Sequence, residues 1–340
     1  MTAALSPWTD PRRFGQRQFH ASLRRGLQPA EQRCALASSV AQAVAALWAS
    51  QLCWPDRPVL PTELVLCGSG REALALALAT LLVPGDTVLI GHPTAGQALA
   101  IALAQGAHYI DVGRTDDGQI DFLAAQRAAQ AHPQAVAYGQ APAWSAVDDT
   151  AMWQQVTGLR ATVADLRLAL WPTVLPAAGA CVLSLRDPDD PACEVLYAVV
   201  APQADAVVIA ALWGDSALSH GQLRHAHAVA GGMARNQLWV AQARSAVLNA
   251  AGRLTQAALG YPGVQTYATA GATVALRCRG GDGASLFAAL RIYTPDMATF
   301  DHHPLRGWVV ADVAAAALST PSGAGQHTLS GKRAETIGAV

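Results

Sequence analysis

Glu63 to Ala73 reads ELVLCGSGREA. Glu63 to Cys67 is short and apolar, fitting a buried β-strand. Gly68-Ser69-Gly70 stops it, and a helix is expected from Arg71 to about Leu82. Pro84-Gly85-Asp86 then makes a turn into a second apolar strand, Thr87 to Ile90. His92 to Gly96 leads to a further helix ending near Gly106, followed by a strand over Ala107 to Val112. The alternation continues with strands at Ala135–Tyr138, Ala161–Ala164, Gly179–Leu185 and Val195–Val200. Short apolar strands separated by helices of this kind predict a mostly parallel sheet covered by helices.

Upstream, Pro29 to Leu52 is a long Ala-rich amphipathic run, closed by the turn residues Trp54-Pro55-Asp56-Arg57-Pro58. Downstream the rhythm changes from about Ser219. A helical stretch over Leu223–Leu259 precedes strand Ala272–Arg277, helix Ala284–Leu290 and a short strand at Trp308–Val310. The expected organisation is an N-terminal arm and helix over 1–58, a large α/β domain over 59–218 and a small α+β domain over 219–318. A flexible Gly/Ser/Thr-rich tail over 319–340 completes it.

Composition narrows the function classes. The 340 residues carry a formal net charge of -1 with 14% charged side chains, so no basic field exists to gather nucleic acid. The apolar window Glu72–Ile90 is broken by Pro84, Gly85 and Asp86, too early for a membrane span of about 20 residues. With no visible secretory signal, a cytoplasmic location is expected. The six cysteines (34, 53, 67, 181, 193, 278) make no Cys-x-x-Cys pair, and core roles are expected. His220, Arg224, His225 and His227 cluster on a helix, and Asp301, His302 and His303 in a loop; neither pattern is a metal motif. Ser69 has no Gly-x-Ser-x-Gly elbow around it.

Four segments taken together resemble class I/II aminotransferases of pyridoxal-phosphate fold type I, the histidinol-phosphate-aminotransferase-like group. ELVLCGSGREA (63–73) is similar to the strand, glycine turn and helix start that hold the cofactor phosphate. VPGDTVLIGHPTAG (83–96) and YGQAPAWSAVDD (138–149) resemble two further family loops. SLRDPDDPACEVLYAVV (184–200) resembles the lysine segment. The implied fold is a mostly parallel central sheet flanked by helices, with a smaller α+β C-terminal domain.

The resemblance also implies a site that this sequence fills poorly. Such enzymes need a lysine amine for the aldimine, an aspartate at the pyridine nitrogen, and donors plus an arginine for the phosphate. Asp187 stands at the lysine position, and the sole lysine of the chain is Lys332. Glu194 and Val195 stand where the phosphate arginine is expected, and Ala95 and Ala141 replace the ring contacts. Asp165 keeps the pyridine-nitrogen place. Gly68, Ser69, Gly70 and Ser184 remain as a vestigial anion site.

The expectation is therefore a catalytically degenerate aminotransferase-like protein with no cofactor, pyridoxal phosphate being admitted only non-covalently. It would be a homodimer, or a heteromer with an active aminotransferase, serving a biosynthetic pathway as a structural or regulatory subunit. Two alternatives stand beside it. One is altered, cofactor-independent chemistry on an amine-bearing small molecule through Asp187 and Asp165. The other is a pyridoxamine-type enzyme without an internal aldimine.

Overall fold

The computed structural model describes residues 30–91, 96–115, 118–140, 149–202, 205–206, 218–260, 263–268, 273–278, 300–303 and 308–312. Several sequence readings lie outside them: Ala95, Ala141, the helix expected at 284–290, and the tail 319–340 with Lys332.

Seven strands make one sheet: β1 (Leu64–Cys67), β2 (Thr87–Ile90), β3 (His108–Asp111), β4 (Val136–Gln140), β5 (Ala161–Asp165), β6 (Ala180–Asp187) and β7 (Asp190–Val200). Their order is β1-β7-β6-β5-β4-β2-β3. β3, β2, β4, β5 and β6 run parallel, while β7 is antiparallel to both β1 and β6. The exception follows from connection length. Only Pro188 and Asp189 separate β6 from β7, and a two-residue link can join antiparallel neighbours alone.

Helices cover both faces: α1 (Ala30–Ala49), α2 (Gly70–Leu81), α3 (Gly96–Ala104), α4 (Phe122–Ala131), α5 (Asp149–Trp153), α6 (His220–Arg235) and α7 (Gln237–Leu259). The period of two along a strand divides the core. On β6, Val182 packs with Leu74, Leu78 and Val163 beneath α2. Its neighbours Leu183 and Leu185 join Trp48, Leu223, Val229 and Val247 from α1, α6 and α7. On β2, Val88 and Ile90 face the α2 side, and Leu89 packs with Ala125, Ala129 and Trp153.

The helical stretch expected over Leu223–Leu259 comprises two helices. Asn236 leaves helical geometry at φ -134°, ψ 80°. Its side-chain oxygen accepts the Trp239 amide at 3.1 Å, closing α6 and starting α7. Further along, β8 (Val264–Ala268), β9 (Thr273–Cys278), β10 (Phe300–His303) and β11 (Trp308–Asp312) form an antiparallel sheet ordered β10-β11-β9-β8. Asp301, His302 and His303, read as a loop, lie in β10 because they pair with Val310, Val309 and Trp308.

Among the described residues no helix is long and apolar enough to cross a membrane. Cys53 and Cys67 are free thiols. No group of three or more potential metal ligands occurs among the described residues.

Candidate functional site

In sheets of this topology ligands bind at the carboxyl ends of the parallel strands. Here that edge brings together the turn after β1, the last residue of β5, and the paired ends of β6 and β7. Asp165, the final residue of β5, is fully buried. An isolated carboxylate there would be costly, so its partners define the site.

Arg167 supplies most of them. Two residues beyond Asp165, it folds back so that Nε meets Oδ1 at 2.8 Å and Nη2 meets Oδ2 at 2.7 Å. The Arg167 amide donates to Oδ1 at 3.2 Å. From β4, the buried Tyr138 hydroxyl donates to Oδ2 at 2.7 Å. Burial by itself would raise the Asp165 pKa. The Arg167 charge and hydrogen bonds, with the Tyr138 bond, outweigh burial and hold the carboxyl below its ordinary value. Burial and then the Asp165 charge push the Tyr138 hydroxyl well above its ordinary value. Arg167 keeps its proton, since the Asp165 charge overcomes the desolvation that would lower it.

The same guanidinium reaches outward, with Nη1 donating to Gln97 Oε1 of α3 at 2.9 Å. It also packs over the first turn of α2. A Cβ on Gly70 would lie 2.9 Å from Arg167 Nη1 and 2.9 Å from Tyr197 Cε1, so this glycine is what lets the two side chains close over the helix start. That start is capped from within. Ser69 Oγ accepts the Glu72 amide at 3.2 Å, and Glu72 Oε2 accepts the Ser69 amide at 3.0 Å.

β6 and β7 complete the cluster. Ser184 Oγ and Arg186 Nη2 both donate to the Arg167 carbonyl, at 2.8 Å and 3.1 Å. Arg186, almost wholly buried, pairs with Glu194 across the hairpin at 2.5 Å. The Tyr197 hydroxyl donates to the other oxygen of Glu194. Burial, with the nearby Glu194 charge, raises the Tyr197 pKa. The result is two arginines, two carboxylates and two tyrosines, each engaged with another.

The sequence-derived residues divide accordingly. Asp165, Ser184, Ser69, Gly70 and Glu194 converge on this edge. Asp187 does not join them: its Oδ2 faces His225 Nε2 of α6 at 3.1 Å and its Oδ1 accepts the Asp189 amide at 2.9 Å. The β6 side chains that reach the cluster are Ser184 and Arg186. Sequence reasoning missed Arg167, Arg186 and Tyr138. The signal for Arg167 was its place two residues after a strand-end aspartate, and for Arg186 its two-residue offset from Ser184.

No protein-family model matches the chain, and no curated protein matches it in sequence. Solved structures match it in fold. An N-succinyldiaminopimelate aminotransferase from Mycobacterium tuberculosis superposes with a TM-score of 0.61 at 19% identity, over 81% of this chain and 79% of that one. A putative aminotransferase from Burkholderia pseudomallei gives 0.64 at 13% identity, over 92% and 90%. The histidinol-phosphate aminotransferase of Sinorhizobium meliloti, solved in complex with pyridoxal-5'-phosphate, gives 0.58 at 16% identity, over 92% and 86%. The fold is that of fold-type I aminotransferases. The expectation that no cofactor is involved is corrected here: the Sinorhizobium meliloti enzyme, which shares this fold, was solved with pyridoxal-5'-phosphate bound.

Proposed function

Taking the aminotransferase fold as premise, we propose that the chain performs no transamination of its own and serves as a structural or regulatory subunit, paired with itself or with an active aminotransferase. The observation that carries this reading is the Arg167–Asp165 pair. Pyridoxal phosphate is the cofactor to test against the cleft, and the side chains do not fit it as they are arranged. A pyridinium nitrogen would find both Asp165 oxygens taken by Arg167 and Tyr138. A phosphate at the start of α2 would meet the Glu72 carboxylate already on the Ser69 amide, a like-charge contact. Admission of the cofactor requires Arg167 to leave Asp165 and Glu72 to leave Ser69. The lysine supports the reading too, since the sole lysine is Lys332 and arginine cannot substitute as an imine-forming amine.

The test is amino-group transfer from a panel of amino acids to keto acids, with pyridoxal phosphate in excess and Asp165→Asn as control. No transfer above the free-cofactor blank is expected. Turnover by the wild-type chain that Asp165→Asn abolishes would overturn the proposal. Light scattering on the purified chain measures the homodimer expected of a self-pairing subunit.

A further inference from the structure

The sheet face that carries Leu183 and Leu185 holds a cavity that shares only Ser184 with the cluster around Asp165. It has a volume of about 260 Å³ and lies between α1, α6, α7 and the segment after β5. Its apolar wall is Trp48, Trp171, Leu183, Leu185 and Met233, all buried. Arg244 of α7 brings a positive charge to this wall.

Arg244 is incompletely used. Nη2 donates to the Leu170 and Trp171 carbonyls at 3.0 Å and 2.8 Å. Among the described residues it forms no ion pair, whereas Arg57, Arg114, Arg160, Arg167 and Arg186 each hold a carboxylate. Among the described residues nothing accepts from its Nε or Nη1. A guanidinium beside apolar surface gains most from a carboxylate that matches its fork and is shielded from bulk water.

Trp171 adds an independent indication. Its backbone is left-handed, with φ 47°, a conformation that strains a bulky residue. It is held there by its own Nε1, which donates to the Arg186 carbonyl at 2.9 Å, and by Arg244 on its carbonyl. The Trp171 indole lines the cavity together with Trp48 of α1. Indoles give an aromatic body large contact area at low conformational cost.

We propose that this cavity is a binding site for a small monocarboxylate with an apolar, preferentially aromatic, body. The carboxylate pairs with Arg244 and the body packs among Trp48, Trp171 and Met233. The volume sets the size. It lies just below the roughly 300–1,000 Å³ of sites for drug-sized ligands, which suits about ten non-hydrogen atoms.

Calorimetry and tryptophan fluorescence on the full chain test this, with phenylacetate and 4-methylpentanoate as probes and phenylacetamide as the neutral comparison. Saturable binding of phenylacetate is expected, with the amide and the Arg244→Gln variant each at least about tenfold weaker. Arg244→Lys should fall between, because it keeps the charge and loses the fork. The wild-type comparison of acid with amide holds even if a variant folds poorly. Equal affinity for acid and amide, unchanged phenylacetate binding by folded Arg244→Gln, or no binding up to about 10 mM would each overturn the proposal.

Discussion

Replacing Arg167 with Met isolates the interaction on which the candidate site depends. Asp165 is fully buried and accepts four hydrogen bonds, two of them from the guanidinium. Arg167→Met removes those two and the ion pair, leaving one phenol and one amide on a buried carboxylate. Breaking such a pair from one side costs roughly 3–5 kcal/mol. The Arg167 side chain retains 14% exposure, which admits some water, so about 3 kcal/mol is expected. The pH dependence carries the sharper test. In the wild type the folded pKa of Asp165 is depressed, so its contribution is present above the unfolded value of about 3.9 and is lost as pH falls through the folded one. In Arg167→Met burial dominates and raises the folded pKa above the unfolded value. Stability from this group is then fully present below the unfolded pKa and falls as pH rises through the folded pKa. Urea unfolding followed by tryptophan fluorescence at pH 5 and pH 7.5 reads both effects. Asp165→Asn combined with Arg167→Met should recover most of the loss, because no charge is left buried. If the single and double variants are equally unstable at both pH values, Arg167 acts only through packing and the electrostatic reasoning fails.

Three further outcomes are expected. Arg114 and Asp149 form a bidentate pair at 2.8 Å and 2.6 Å with both side chains buried, so Asp149→Ala should cost about 3–5 kcal/mol in chemical denaturation, and Leu at both positions markedly less. Ser69→Ala should cost about 1 kcal/mol, read as a lowered melting temperature, because it opens the capping box at the start of α2. Hydrogen bonding from Arg57, helped by the Leu60 amide and Trp54, lowers the Glu63 pKa from 4.5 to about 2. The stability it confers is present above pH 4.5 and lost as pH falls toward 2, so Glu63→Gln should flatten that part of the acid-denaturation profile.

The parallel sheet was legible because its signals are local. Gly68-Ser69-Gly70 and Pro84-Gly85-Asp86 punctuate apolar runs of strand length, and each run became a buried strand. The helix break at Asn236 was weaker, since one asparagine inside GGMARNQLWV competes with a continuous apolar pattern and acts only through its bond to the Trp239 amide. Asp165 was placed correctly at a strand end, yet its partners were not visible. Tyr138 and Arg167 meet it through tertiary folding and a chain reversal that composition does not encode. Asp187 shows how a single position matters on a strand: neighbouring side chains take opposite faces, so an offset of one residue exchanges Arg186 in the cluster for Asp187 against α6. The cofactor expectation failed for another reason. It followed from missing residue types, whereas a structure of the same fold was solved with pyridoxal-5'-phosphate bound.

The proposal to be tested first is that this chain performs no transamination of its own. The most direct measurement is loss of the α-hydrogen of amino acids into deuterated water, followed by proton magnetic resonance with pyridoxal phosphate in excess, because cofactor-assisted removal of that hydrogen precedes amino transfer. Exchange no faster than with free pyridoxal phosphate is expected for wild type and Asp165→Asn alike. Exchange accelerated by the wild-type chain and lost in Asp165→Asn would contradict the account.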